Sequence, residues 1–166
     1  MKIKHFSLLS SLSLAAALSL IRCTSREPKA PQLEWPPALS AAVEKAPTVY
    51  LCELVNKPDH FDKQVVRIKA LFAKNLENEF FYDSTCSDSY VWVEFDPAYQ
   101  YSDDLLKKKF EQIACLRKSR CDGKALVTVV GRFDGPKAGP YGHLDSYTYR
   151  FSIIRLEDVQ PAESIK

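Results

Sequence analysis

Hydrophobic and polar positions follow two different periods along this chain. In the stretch KQVVRIKALFAK, residues 63–74, Val66, Ile68, Ala70 and Phe72 alternate with Arg67, Lys69 and Leu71. A period of two predicts a strand with one face buried. NLEN then reads as a turn, EFFYDS as a second strand and TCSDS as another turn. In YVWVEF, a third strand, Val91, Val93 and Phe95 share one face and Tyr90, Trp92 and Glu94 the other. The period then changes. Ser102 is a helix cap, Asp103 and Asp104 suit the positive N-terminal end, and Leu106, Phe110, Ile113 and Ala114 line one side. Asp122-Gly123 turns the chain into a fourth strand, with Ala125, Val127, Val129 and Phe133 on one face. SYTYRFSIIRLEDV is a fifth, in which Tyr147, Tyr149, Phe151 and Ile153 are expected to share a face. Ahead of all these, Thr48 as an N-cap predicts a short helix over VYLCELVN, stopped by Pro58.

The segments on either side differ in kind. Lys2 and Lys4 precede an uncharged run from Phe6 to Ile21, the order of an export signal and shorter than the roughly 20 residues a spanning helix needs. Residues 1–22 are therefore expected to be a signal peptide. Residues 24–47 hold five of the chain's ten prolines, so 23–47 reads as a tether, with a short helical turn in ALSAAVEKA. One domain is expected over 48–160, followed by a tail at 161–166.

Strand, strand, strand, helix, strand, strand is the order of an OB-fold. The expected fold class is thus mainly β: a five-stranded OB-like barrel with one helix between strands 3 and 4 and a short N-terminal helix. Leu54, Pro58, Phe61, Lys63, Val66 and Ile68 resemble the opening of exported bacterial OB-type domains, with Ala70 where those often carry glycine. Pro140-Tyr141-Gly142-His143-Leu144 resembles a Gly-Tyr-Gly-His-Leu phrase in the last hairpin of small bacterial lipoproteins. Leu20, Ile21 and Cys23 resemble the lipobox of such proteins, although Arg22 departs from it. That resemblance implies acylation of Cys23 and a membrane-anchored lipoprotein facing the periplasm or the cell surface.

Cysteine number agrees with that layout. Of five cysteines, acylating Cys23 leaves Cys52, Cys86, Cys115 and Cys121, an even set for an oxidising compartment. The favoured pairing is Cys115–Cys121 across LRKSR, with Cys52–Cys86 as the long-range bridge. A metal centre is not expected: there is no Cys-x-x-Cys pair, and only His60 and His143 follow the leader. Charge also changes with the leader removed. The whole chain is +2, but residues 1–22 carry three basic residues and no acids, so the rest is 20 − 21 = −1. A near-neutral domain lacks the basic footprint of a nucleic-acid binder.

Two surfaces offer chemistry. If Val66, Ile68, Val91 and Val93 point inward, Arg67, Lys69, Tyr90 and Trp92 point outward together, as aromatics and cations do where OB-folds grip bases. A sugar or a partner peptide would fit as well. The plainer reading, which is preferred, has Trp92 packed under the N-terminal helix or the tether and the two cations solvated. The second surface is GRFDGPKAGPYGH, residues 131–143, with four of the five glycines. It lacks the Gly-Lys-Ser/Thr ending of a phosphate loop and leads into a strand. It reads first as a long hairpin loop, and second as a binding loop with Tyr141, His143 and Asp145 at the barrel mouth. Catalysis is not expected. As a triad, His143, Asp145 and Ser146 fail because adjacent strand residues point to opposite faces and no nucleophile elbow is present, and Asp59/Asp62 and Asp103/Asp104 read as a turn and a cap. The expected function is a non-catalytic binding or interaction module of the cell envelope with no cofactor. Its partner would be an envelope protein or a small ligand, in an oligomeric state that sequence leaves open. An oligonucleotide- or oligosaccharide-binding domain is the alternative, and a hydrolase of unknown type the second.

Overall fold

The structure is a computed structural model that describes residues 35–86, 90–101, 104–114 and 123–162, with the side chains of residues 100 and 101 left aside. Cys23, Cys115, Cys121, Ser102 and Asp103 lie outside the described residues.

Its elements run α1 (Pro37–Glu44), β1 (Thr48–Val49), α2 (Leu51–Asn56), α3 (Pro58–Phe61), β2 (Val65–Lys74), β3 (Glu79–Tyr82), β4 (Val91–Tyr101), α4 (Asp104–Ile113), β5 (Gly123–Asp134) and β6 (Tyr149–Pro161). The chain is mainly β. The five expected strands are β2 to β6, and the expected helix between the third and fourth is α4. The start of the domain differs. Thr48 is not a helix cap: Thr48 and Val49 pair in parallel with Arg67 and Ile68, so a long-range strand contact overrides a local capping signal. Pro58 does not simply end a helix. It sits at the first position of α3, where its missing N–H would be unpaired anyway.

The six strands make one sheet that rings round. β2 pairs antiparallel with β3, β3 with β4 and β5 with β6; β4 pairs parallel with β6, and β5 returns antiparallel to β2. The ring is uneven. β2 and β5 match over the whole length of β2, whereas β3 meets β4 only at Phe80↔Trp92 and Phe81↔Val91.

The alternating residues fill the interior as their period requires. Val66, Ile68, Ala70, Phe72, Val91, Val93, Ala125, Val127, Val129 and Phe133 are all buried. α4 lays Leu106 and Phe110 against this core, joined by Ala114 just after it, with the Phe110 ring 5.3 Å from Phe72. β6 keeps Phe151, Ile153, Leu156 and Val159 inside at a spacing of two, then three, then three. Two bulges against β5 make this possible, because each extra residue resets which side chains face inward. The first bulge turns Ile154 outward, where it is buried with Val43, Ala46 and Val130 under α1. Trp35 joins that cluster and donates through Nε1 to the Ala98 carbonyl at 2.7 Å. Residues 35–47, part of the stretch read as a tether, thus pack on the outside of the sheet. Cys52 and Cys86 lie at disulfide distance, with Cα atoms 5.3 Å apart, and link α2 to the turn after β3. Among the described residues, no helix is long and apolar enough to cross a membrane.

The β5–β6 contact is so close that only glycine fits at its centre. A β-carbon on Gly131 would stand 2.3 Å from the Ser152 carbonyl oxygen and 2.4 Å from the Phe151 ring. Gly131→Ala is predicted to lower stability by about 2 kcal/mol through overpacking. Urea unfolding checks this, and an unchanged midpoint would contradict it.

Candidate ligand-binding face

The loop from Gly135 to Thr148 is fixed at its base by a buried carboxylate. Phe133 points into the core, so Asp134 points to the outer side of β5, where it has no exposed surface. Lys63 Nζ donates to Asp134 Oδ1 at 2.7 Å, and Arg150 Nε donates to Oδ2 at 2.8 Å. Arg132 Nε is 3.4 Å from Oδ1. Burial alone would raise the Asp134 pKa. The hydrogen bonds from Lys63 and Arg150 and the fields of Arg150 and Arg132 outweigh it, so the carboxyl stays below its ordinary value.

The loop is built outward from that point. Gly135 N–H donates to Asp62 Oδ1 at 2.8 Å, and the Tyr141 hydroxyl donates to the Gly135 carbonyl at 2.9 Å. The Arg150 guanidinium lies 4.8 Å from the centre of the Tyr141 ring. Tyr141 and Tyr147 exchange backbone hydrogen bonds, closing the loop on itself. Gly139–Pro140 is cis. Gly142 has φ of 75°, and a β-carbon there would stand 2.7 Å from both Trp92 and Tyr147. Its backbone therefore rests directly on the Trp92 ring.

That contact completes an aromatic surface. Phe80 and Tyr82 alternate with the core residue Phe81 and so face outward from β3. Tyr90 and Trp92 alternate in the same way with Val91, and Tyr147 arrives from the loop. Phe80 is 5.2 Å from Tyr90 and 6.2 Å from Tyr147, and Trp92 is 5.2 Å from Tyr147. Tyr90 is 48% exposed. Burial raises the Tyr147 pKa, with the Tyr90 phenol adding to the shift. Trp92 Nε1 donates to Glu94 Oε1 at 3.2 Å, and Glu94 Oε2 accepts from Arg150 at 3.3 Å.

Two loops border the face. In the turn at 75–78, Asn75 Oδ1 accepts from the backbone N–H groups of Glu77 and Asn78. Leu76 stands 76% exposed at its tip. Across from it, His143 Nε2 lies 3.4 Å from Glu77 Oε2. Leu144, next to His143, has φ of 53° and is 82% exposed. Between the 75–78 turn and Trp92 is a hollow of about 250 Å³, lined by Lys74, Leu76, Glu77, Glu79 and Trp92. Lys74 is paired with Glu79 there.

The expected quartet is divided by this arrangement. Tyr90 and Trp92 are together, but Arg67 is elsewhere. Arg67 lies beside Thr48 and Val130, whereas Trp92 lies opposite Phe80, which is opposite Ala73. Arg67 and Ala73 are six positions apart on β2, about 20 Å along the strand. Arg67 is also occupied. It donates to Glu157 at 2.7 and 3.1 Å and to the Ala46 carbonyl at 2.7 Å. Lys69 is exposed, two positions before Leu71, the first β2 residue that β3 covers. Trp92 packs against Gly142 and Tyr147 of the loop, whereas the tryptophan of the N-terminal segment, Trp35, covers Val130 and Ile154. Tyr147 does not share the inner face with Tyr149, Phe151 and Ile153, because the loop reaches Thr148 and β6 begins only at Tyr149. Tyr141 is buried as the loop's support, and His143 reaches Glu77 in the turn at 75–78.

The acid–base candidates have ordinary partners. Asp59 pairs with Lys137, His60 packs on Phe61, and Ser146 Oγ donates to the Leu144 carbonyl. Cys52, Asp83 and Cys86 cluster, but the two sulfurs are at bonding distance and offer no free thiolate to a metal. An open cleft of about 510 Å³ at the α2–α3 corner is lined by Glu53, Asn56, Lys57 and His60. No protein-family model, curated protein or solved structure matches this chain.

Because the folded Asp134 carboxyl titrates below its ordinary value, its contribution to stability is present at neutral pH and lost as pH falls through the folded pKa. Asp134→Asn is predicted to cost about 3 kcal/mol at pH 7, as expected when a buried ionic contact loses one partner. The gap from the unsubstituted protein should narrow as pH falls below about 4. Urea titrations at several pH values check this, and a gap that does not vary with pH would contradict it.

Proposed function

We propose that this protein is a non-catalytic binding module of the OB type, working in the cell envelope through the aromatic face of β3 and β4. The observation that carries the reading is the position of that face. In an OB-fold, ligands lie on the second and third strands between the first hairpin loop and the loop joining the last two strands. The corresponding parts here are β3 and β4, the turn at 75–78 and the loop at 135–148. The parallel β4–β6 pairing, the return of β5 to β2 and α4 between β4 and β5 support the OB reading.

The envelope location rests on the basic-then-apolar leader and the lipobox-like Leu20-Ile21-Arg22-Cys23, with Cys23 the acylated anchor. Cys52 and Cys86 at disulfide distance suit an oxidising compartment. A second reading, glycan binding, is favoured by the half-exposed Tyr90 ring, which is free to stack on a sugar. Oligonucleotide binding loses support from Arg67, which is held by Glu157 and Ala46. For a hydrolase centred on His143, the contact described is a carboxylate, not a nucleophile.

The chain has two tryptophans, so Trp35→Phe leaves Trp92 as the reporter. Titrated with N-acetylglucosamine oligomers, oligothymidylate and mixed synthetic peptides, its emission is predicted to shift with at least one class. Tyr90→Ala should weaken that binding about tenfold or more, as for an aromatic hot spot. No shift with any class, or a shift indifferent to Tyr90→Ala, would overturn the reading.

A further inference from the structure

Resting on the reading of the aromatic face as the binding site, we infer that its occupant is a partner-protein segment presenting an arginine or lysine among apolar side chains. The hollow beside Trp92 is where the cation would enter. Its walls combine the indole ring with the carboxylates of Glu77 and Glu79, and the cation already present, Lys74, is taken up by Glu79. The Glu77 side chain is 66% exposed, and among the described residues its ion-pair contact is with His143. A guanidinium entering there meets an aromatic face and a carboxylate at once, the two contacts that suit it best. Its aliphatic stem would lie on apolar surface, as long basic side chains do.

The border of the face points to a protein and not to a sugar or a polyanion. Both loop tips hold a leucine in water, Leu76 at 76% and Leu144 at 82% exposure. Leu144 is held there by a left-handed backbone, which is unfavourable for a leucine. A glycan rewards hydroxyl-matching groups at such positions, whereas an apolar partner side chain rewards leucine. Tyr and Trp at the centre are among the residues enriched in the hot spots of protein interfaces. Charge excludes a phosphate-rich ligand on the same grounds. Glu77, Glu79 and Glu94 line this part of the face, and its cations Lys74 and Arg150 are both engaged by carboxylates. Anionic headgroups would meet the same three carboxylates, which disfavours a membrane surface.

The test uses the full chain carrying Trp35→Phe and a short synthetic peptide in which one Arg is flanked by Leu and Tyr. The peptide is predicted to shift Trp92 emission. Replacing its Arg by citrulline should weaken binding roughly tenfold, and by Glu further still. On the protein, Glu77→Gln should reduce affinity several-fold for the Arg peptide and leave the citrulline peptide unchanged, which separates a charge contact from misfolding. Equal binding of the Arg, citrulline and Glu peptides would overturn the inference, as would no binding of the Arg peptide. N-acetylglucosamine oligomers, oligothymidylate or anionic phosphatidylglycerol vesicles bound in its place, with loss on Tyr90→Ala, would leave the face as the site and overturn only the partner class. Arg-peptide binding that ignores both Tyr90→Ala and Glu77→Gln would instead overturn the site.

Discussion

A carboxylate without exposed surface has to be neutralised where it stands, and Asp134 meets that demand with groups brought from three places in the chain. Lys63 comes from the corner before β2, Arg132 from β5 itself and Arg150 from the start of β6. Lys63 adopts φ of 65° there, and its backbone N–H donates to the Phe133 carbonyl at 2.8 Å. The corner after α3, the end of β5 and the start of β6 are therefore held at one point. Everything the loop at 135–148 does follows from that. Its first residue is fixed by Asp62, its support Tyr141 is stacked under Arg150, and its tip reaches Trp92 at Gly142.

The outer side of the sheet is used twice, for different ends. Over β5 and β6 it is apolar and covered: Val130 and Ile154 lie beneath Trp35, Leu39 and Val43 of the N-terminal segment. The ion pairs of Arg67 and Arg155 with Glu157, and of Arg155 with Glu44, border that contact. In this network the Glu157 carboxyl is lowered, first by its hydrogen bond to Arg67. Over β3 and β4 the outer side is aromatic and only partly covered. Where β6 is concerned, two bulges make the covered side possible by turning Ile154 out without taking Leu156 from the core. The proposed OB character and the proposed binding role both depend on this division of one sheet into a closed interior, a covered flank and an open flank.

How much of this was legible in the sequence depended on the range of each interaction. Strict alternation located the inward residues of β2, β4 and β5, because burial of one face is a local, periodic demand. The Cys52–Cys86 pairing was accessible from cysteine count and spacing. Thr48 was misread because a capping signal is local, whereas its partner Arg67 is set by tertiary pairing. Arg67 and Lys69 looked like an open pair of cations, since Glu157 lies 90 residues from Arg67 and no local pattern links them. The Asp134 network was hidden for the same reason: Lys63 is 71 positions away. Phe80 and Tyr82 were missed as site residues although EFFY alternates, because a four-residue strand gives too little context to say which face is open. Tyr147 was placed on the wrong face because aromatic periodicity in SYTYRF runs across the boundary between loop and strand.

The buried Asp134 contact reaches the aromatic face through the loop. Its most direct test is acrylamide quenching of Trp92 emission in chains carrying Trp35→Phe, with and without Asp134→Ala, under conditions where circular dichroism reports both as folded. Asp134→Ala is predicted to free the loop, lift Gly142 from the indole and increase the quenching of Trp92. Equal quenching in the two folded chains would contradict it, and would leave Asp134 a local stabilising contact with no part in shaping the binding face.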